Sequence, residues 1–440
     1  MNCFVCLAML QRMRSRPETT PFARPQTPAA KCLHLIRLGG PTTRPQLIEA
    51  TGLSQPTITR AVTALLNAGL IRPREDLTQV HGPGRPTTPL ELAPFRPVLA
   101  GAAVGTETTY IGIYDAHGRR LRHSEIPVRV VDESAGDFLE HLVAGINRIL
   151  ARINRPLAAV GVTTSGRVDH RGLVTAPNLG WQAVDFTSTL RYHFDVPVTV
   201  TAATSAILGA ETQLAPLPTD SDDTPATLAI FADDSVSAAL ARPGGVAQLD
   251  TLPHVTFPTP AVQPGGSTPA DVRAAAASTS EKVRPDVRRT EDMLRTAPTS
   301  TEERLSTEGL MAQVAAAGHG SLTLTQVTER AGRNAHLRAL LDARSRALAA
   351  VVGKLITKHR PHTVVLAGSA FTADEQAPRT FARAFHEEVG RGHDVDLRLI
   401  PGHRDIVLSI ARAVALDKLL REPIAVADSA GANSTGAAAT

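Results

Sequence analysis

The chain has 440 residues, of which 42% are hydrophobic and 20% are charged, a composition typical of a soluble protein of about two to four domains. No apolar run approaches the roughly 18 residues that a membrane-spanning helix needs. The three cysteines all lie within the first 32 residues, which excludes a disulfide scaffold and any cysteine-based zinc site elsewhere.

The apolar opening segment Met1–Leu10 has no basic residue before it and no small-residue cleavage site after it. It is therefore not predicted to be a secretory signal, and we expect a cytoplasmic protein.

The net charge of +4 is unevenly distributed. Residues 1–100 hold twelve basic and five acidic side chains, whereas the other 340 hold 34 and 37. This asymmetry predicts an anionic partner for the N-terminal part alone.

Residues 1–28 are predicted to form a disordered tail, because a Pro-, Thr- and Arg-rich stretch within them lacks apolar periodicity. Three short helices are predicted after it, at 29–39, at Arg44–Ala50 and after Ser54, which we expect to cap the third helix. The residues predicted to face inward recur at helical spacing and are Ala30, Leu33, Ile36, Leu47, Ile48, Ala50, Ile58, Val62 and Leu65.

Residues 71–92 predict a β-hairpin with a Gly- and Pro-rich tip at 81–86. Three helices, a hairpin and a positive charge within residues 29–95 are typical of a winged helix-turn-helix that binds double-stranded DNA. A polar helix face alone would indicate only a solvated surface, so the prediction rests on the ordered pattern. Arg85, at the tip, is expected to enter the minor groove. The residues expected to contact DNA from the third helix are Ser54, Gln55, Thr57, Thr59, Arg60 and Thr63.

Beyond residue 96 the pattern alternates strands with helices, which predicts an α/β body over 96–420. An irregular insertion is predicted near 255–330, and residues 421–440 are predicted to be a second disordered tail. The predicted strands are 98–105, 110–114, 121–128, 158–163, 196–201 and 363–366, with a hairpin at 228–240. The predicted helices are 138–153, 205–213, 337–359, 377–389 and 405–420.

Two motifs in the body, Ser165-Gly166-Arg167-Val168-Asp169 and Pro177-Asn178-Leu179-Gly180-Trp181, carry a family resemblance. With the winged helix before them they resemble the ROK family of repressors and sugar kinases over about residues 30–420. The resemblance implies a two-lobed actin-like ATPase fold of the ribonuclease H-like type. It also implies a homodimer or a dimer of dimers.

The resemblance further implies where kinase chemistry would lie, and this sequence departs from the family pattern there. The catalytic aspartate falls on Ala203 and a sugar-binding asparagine falls on Ala202, so the general base is missing. The first phosphate loop, at 103–107, has lost its aspartate. The second phosphate loop falls on residues 233–239, where Asp233 and Asp234 would repel phosphate. We therefore predict no catalytic residues, no cofactor and no metal site.

Of the family's ligand-binding residues, Asn178 and His254 remain as candidates, whereas Trp181 is more consistent with a packing role. The leading hypothesis is a transcriptional repressor that binds a palindromic operator through its winged helix. The degenerate body would oligomerise and sense a small, sugar-like effector. Two alternatives stay open: an active sugar kinase with an N-terminal appendage, and an architectural protein that needs no ligand.

Overall fold

The computed structural model describes residues 20–78, 87–217, 226–242, 244–257, 300–390 and 395–436. The chain divides into two compact units. The first comprises the chain up to Thr227, Ala239–Gln248 and the chain from Val407 onward; the second comprises Leu228–Ala238 and Leu249–Ile406. None of the helices in the described ranges combines the length and apolarity needed to span a membrane.

The first unit begins with three helices, α1 (Pro28–Gly39), α2 (Arg44–Thr51) and α3 (Gln55–Asn67). Two antiparallel strands follow, β1 (Ile71–Pro73) and β2 (Leu90–Leu92), with Ile71 opposite Leu92. The Thr43 side chain forms a capping box with Gln46 at the start of α2. The three helices and the paired strands of the predicted winged helix-turn-helix are therefore present. The predicted hairpin tip at 81–86 lies outside the described residues. Ala50, predicted to face inward, is instead exposed, because α2 is short and buries only Leu47.

The predicted N-terminal tail is wrong for its last residues. Phe22 is 2% exposed, and its ring fills the space above Gly209. The Phe22 backbone N–H donates to Asp417 Oδ1 at 2.8 Å. An aromatic side chain seated on a glycine orders this segment, although the surrounding sequence has no periodicity. Residues 1–19 lie outside the described residues.

A five-stranded sheet forms the centre of the first unit, and its strands are β3 (Val98–Val104), β4 (Thr109–Tyr114), β5 (Arg120–Ile126), β6 (Leu157–Thr164) and β10 (Val198–Ala202). Their order in the sheet is β10-β6-β3-β4-β5. The central strand β3 pairs in parallel with β6 and antiparallel with β4, and the observed strands match those predicted closely. Three helices flank the strands: α4 (Ala135–Leu150), α5 (Phe186–Phe194) and α6 (Ala203–Thr212). A small sheet contains β7 (Arg167–Val168), β8 (Leu173–Ala176) and β9 (Trp181–Asp185).

The second unit contains β11 (Thr227–Ala232), β14 (Thr363–Ala367) and β15 (Asp396–Leu399), with β14 between the other two. The chain passes into the first unit within β12 (Val236–Arg242), whose end pairs with β13 (Gly245–Gln248). The helices of this unit are α7 (Thr301–Leu305), α8 (Thr307–Val314), α9 (Leu324–Ala331), α10 (Ala335–His359), α11 (Ser369–Thr372) and α12 (Ala377–Val389).

Helices α7, α8 and α9 lie where the sequence predicts the end of an irregular insertion, so that prediction is wrong for residues 301–330. A small apolar cluster stabilises α8 and α9 against the start of α10. Its buried members include Leu310, Val314, Val327, Leu337 and Leu340. These large side chains are few and widely spaced, which is why the segment shows weak periodicity. Residues 258–299 of the predicted insertion lie outside the described residues.

Two further helices complete the first unit, α13 (His403–Arg421), which enters it at Val407, and α14 (Pro423–Gly436). The predicted C-terminal tail is therefore wrong over α14. Val426 and Ala430, one helical turn apart, are each 1% exposed and join the apolar core of the winged helix. That core also takes Leu416, Leu419 and Leu420 from α13. The winged helix-turn-helix and the α/β sheet of the first unit thus share one hydrophobic core.

Candidate nucleic-acid interface

Helix α3 buries one face and exposes the other. Ile58, Ala61, Val62 and Leu65 are buried, which holds the helix against α1 and α2. On the opposite side lie the residues predicted to contact DNA. Five of them are exposed and Thr57 is half-buried. The exposed five are Ser54, Gln55, Thr59, Arg60 and Thr63.

Hydrogen bonds along α3 orient these polar side chains. The hydroxyls of Thr59 and Thr63 each donate to the carbonyl one turn earlier, at 2.9 Å. Ser54 occupies the N-cap position as predicted, but its hydroxyl pairs with the Thr57 hydroxyl at 2.9 Å rather than with a backbone N–H. The first turn therefore carries no side-chain cap, and its N–H groups suit a phosphate.

Arg60 supplies the positive charge on the exposed face of α3. Its Nε donates to the Pro56 carbonyl at 3.4 Å, and it forms no ion pair within the described residues. Arg60 and Thr57 also border an open groove of about 480 Å³ between α1, α3 and the start of α14. The guanidinium is therefore accessible for a bidentate contact with a base or a phosphate.

The two arginines in and after β1 are engaged by acidic neighbours. Glu91 lies 2.6 Å from Arg72 and from Arg74, and Arg74 also pairs with Asp76 at 2.6 Å. The hydrogen bond from Arg74 holds the pKa of Glu91 below its ordinary value. These pairs rigidify the base of the wing, which is the hairpin formed by β1 and β2, and they reduce the positive charge that it presents. Arg85 lies outside the described residues.

Contacts distant in sequence attach the winged helix-turn-helix to the end of α6. The His34 imidazole hydrogen-bonds the Ala215 carbonyl at 2.8 Å, and the Arg37 guanidinium donates to the Gln213 carbonyl. Burial lowers the pKa of His34, and burial, helped by Arg412, lowers that of Arg37 to about 10. Sequence reasoning missed this attachment, because no local pattern signals contacts about 180 residues apart.

The two positions where the family resemblance predicts a catalytic aspartate and a sugar-binding asparagine are buried alanines in the structure. Ala202 ends β10 and Ala203 begins α6, at 2% and 7% exposure. A methyl group can neither accept a proton nor bind a sugar hydroxyl. Ala203 therefore supplies no general base.

In the second unit, the turn after β11 holds Asp233 among polar partners. Its Oδ1 accepts from the Ser369 hydroxyl at 2.6 Å, and its Oδ2 lies 3.3 Å from His403 Nδ1. Burial raises the pKa of Asp233, but the contacts with His403 and Ser369 outweigh burial, so the pKa lies below its ordinary value. An ionised carboxylate thus lies within the turn where the family resemblance predicts a phosphate loop.

The Asp233–His403 pair predicts a pH-dependent stability. Contact with Asp233 raises the pKa of His403 above its ordinary value of 6.5. A raised histidine pKa stabilises the fold below the unfolded pKa, and this contribution disappears as pH rises through the folded pKa. We therefore expect His403→Gln to destabilise the protein at pH 5.5 and to be nearly neutral at pH 8.5. The expected loss is below about 1 kcal/mol, since the imidazole is 69% exposed.

Urea unfolding at the two pH values measures this difference. His362→Gln is the control, because His362 is also exposed and lies in the same unit. An equal effect of His403→Gln at both pH values would contradict the assigned pair.

The two candidate ligand-binding residues lie in different units. Asn178, in the first unit, donates from its side-chain amide to the Ser165 hydroxyl at 3.0 Å. His254, in the second unit, is exposed, and its carbonyl accepts from Lys354 at 2.8 Å. Trp181 is 3% exposed and packs against Phe138 and Phe186, with ring centroids 5.2 and 5.1 Å away. Its environment is that of a packing residue.

Within the described ranges, no three histidine, cysteine, aspartate or glutamate side chains are grouped closely enough to hold a metal ion. Cys32 is fully buried in the winged-helix core, and burial raises the pKa of its thiol to about 11. Cys3 and Cys6 lie outside the described residues.

A winged helix-turn-helix followed by this α/β body defines a class of proteins that join an N-terminal DNA-binding module to a body of the actin-like fold. The model of the ROK family matches residues 99–216. A protein of Mycobacterium bovis named transcriptional regulator Mb0495 is 32% identical over 363 residues, which cover 81% of this chain and 78% of that protein. Transcriptional regulator Rv0485 of Mycobacterium tuberculosis matches with the same values. The chain belongs to the ROK family.

Solved structures share the fold. A ROK family transcriptional regulator, described as a homolog of the E. coli MLC protein, superposes with a TM-score of 0.65 at 16% identity, covering 91% of this chain and 98% of that chain. The ROK hexokinase from Thermus thermophilus gives 0.52 at 17% identity, covering 72% and 98%. Both regulators and kinases therefore use this architecture, and the residues of the site must distinguish them.

Proposed function

We propose that the protein is a cytoplasmic transcriptional repressor that binds operator DNA through α3 and the wing. The observation that carries the proposal is the exposed polar face of α3, with Arg60 accessible, on a helix whose other face is buried in the core. The names of the mycobacterial relatives support the proposal. Ser54, Gln55, Thr57, Thr59, Arg60 and Thr63 would contact the major groove, and Arg85 would contact the minor groove.

The body would oligomerise and bind a small effector. A homodimer would place two winged helices on a palindromic operator. A sugar-like effector near Asn178 or His254 would act through a change that reaches α1. The attachment of His34 and Arg37 to the end of α6 supports such a route, because α6 begins at the aligned catalytic position.

In vitro selection of genomic fragments by the purified full chain tests the proposal. A short palindromic motif is the expected result. Motif-free, salt-sensitive binding would contradict specific DNA reading and would favour the architectural alternative.

A sugar kinase is the second candidate, since the fold is shared with a ROK hexokinase. The alanine at 203 and the carboxylate at Asp233 argue against it, and we propose that the chain is not an enzyme. Glucose-dependent consumption of ATP by the purified protein would overturn this part of the proposal.

A further inference from the structure

A second concentration of positive charge lies in the first unit, outside the winged helix. The last turn of α4 and strand β5 border a concavity of about 290 Å³. None of its lining residues is acidic. Its basic side chains are Arg122, His123, Arg148 and Arg152. We call this site the arginine concavity.

The three arginines of this concavity form no ion pair within the described residues. Nearby arginines do: Arg119 pairs with Asp115 at 3.1 Å, and Arg129 pairs with Glu107 at 3.2 Å. Cations near the end of a helix can simply offset its dipole, which accounts for Arg148 and Arg152. It does not account for Arg122, which joins them from the facing strand. Three unpaired guanidinium groups around one concavity favour an anionic ligand with several charges.

The anion that fits is a row of phosphate groups. Guanidinium groups bind phosphate oxygens with paired hydrogen bonds. Strand β5 is at the edge of the sheet, and an edge strand presents backbone N–H groups on its outer side, which would add further donors along a line. A line of donors beside arginines matches a polymer backbone better than a single compact anion.

Chain connectivity places the arginine concavity next to the wing. The turn before β5 shares a cavity of about 320 Å³ with Arg72 and Glu91 of the wing strands, and Arg122 follows two residues into β5, about 7 Å along the strand. On the other side, Arg155 donates to the Phe95 carbonyl in the segment between β2 and β3. Arg152 is three residues before Arg155. The two elements that border the concavity, β5 and the end of α4, are therefore each connected by a few residues to a segment beside the wing.

We propose that the arginine concavity binds the phosphate backbone of duplex DNA flanking the operator sequence. The inference rests on the proposed function, because α3 and the wing must first bring the duplex to the protein. The concavity would add affinity without sequence preference, since phosphates carry no direct sequence information. Affinity would then depend on the length of the duplex beyond the operator motif.

The experiment compares two duplexes, one limited to the selected motif and one extended on both sides. The triple variant Arg122→Gln/Arg148→Gln/Arg152→Gln is expected to bind the short duplex like the wild type and the long duplex more weakly. On the long duplex, the slope of log affinity against log salt should fall by up to about 3, one for each lost phosphate contact.

The control variant Arg330→Gln/Arg333→Gln/Arg346→Gln removes the same charge from exposed positions of the second unit. It should leave both affinities unchanged. Circular dichroism verifies that each variant is folded, and glutamine keeps much of the arginine stem.

Three results would overturn the inference. One is motif-specific binding with no difference between the triple variant and the wild type on the long duplex, which leaves the proposed function intact. Another is that the wild type binds inorganic phosphate and the triple variant does not, while the two proteins bind DNA equally. This result would assign the concavity to a small anion. The third is absence of motif-specific binding by the wild type on either duplex, which overturns the proposed function as well.

Discussion

Arg60→Ala is expected to weaken specific operator binding by about 1–3 kcal/mol, or roughly 5- to 150-fold in dissociation constant. Arg60 is exposed and forms no ion pair within the described residues, so its removal costs the folded protein little. In the complex with DNA, the Arg60→Ala variant would lack the bidentate contact that this guanidinium makes with a base edge. The variant should also lose discrimination at one position of the operator, which distinguishes base reading from a phosphate contact.

Fluorescence anisotropy with the selected operator and single-base variants measures this effect. Arg60→Lys keeps the charge without the planar fork, so it should recover nonspecific affinity more than specificity. Arg333→Ala controls for loss of an exposed arginine, because Arg333 lies on the second unit. Operator affinity that is unchanged in Arg60→Ala would remove this residue from the interface.

Gly101→Ala is expected to lower the free energy of unfolding by about 3 kcal/mol, at the upper end of what overpacking costs. A Cβ atom at Gly101 would lie 2.0 Å from the Ala411 carbonyl oxygen and 2.9 Å from the Ala415 Cβ. The nearest obstacle is the backbone of α13, which cannot rotate away as a flexible side chain would. Helix α13 also contributes Leu416 and Leu419 to the winged-helix core, so its displacement should loosen the DNA-binding module.

Urea unfolding compares Gly101→Ala with Gly136→Ala, which makes the same chemical change in the same unit. Gly136 lies in the first turn of α4, and the nearest atom to a Cβ there is the Ser134 hydroxyl oxygen at 3.8 Å. Gly136→Ala should therefore stabilise the protein by about 0.4–1 kcal/mol. Equal stability of the two variants would contradict the packing of α13 against β3.

Most helices and strands could be predicted, because their signals are local. The buried positions of α3 recur at helical spacing, and the strands of the first sheet are continuous apolar runs. The two ends were predicted wrongly. Phe22 and Val426 have partners on other elements, Gly209 and the winged-helix core, that a composition-based prediction of disorder does not consider.

The polar face of α3 follows from its sequence, since a helix with one apolar stripe must expose the opposite side. The accessibility of this face does not follow from the sequence of α3, because it depends on which surfaces the other elements leave uncovered. The same holds for Arg72 and Arg74, which count as positive charge in the sequence but are paired with Glu91 in the fold. The arginine concavity was not predicted, because Arg122 and Arg148 are 26 residues apart and on different elements.

The amino-acid sequence is sufficient to identify the winged helix, the α/β pattern of the body and the alanine at position 203, because periodicity and residue chemistry are properties of short segments. The folded structure is needed to find which charges remain unpaired, where α14 packs and how α1 is attached to the end of α6. Those features arise from contacts between residues far apart in the chain, and such contacts exist only after the chain has folded.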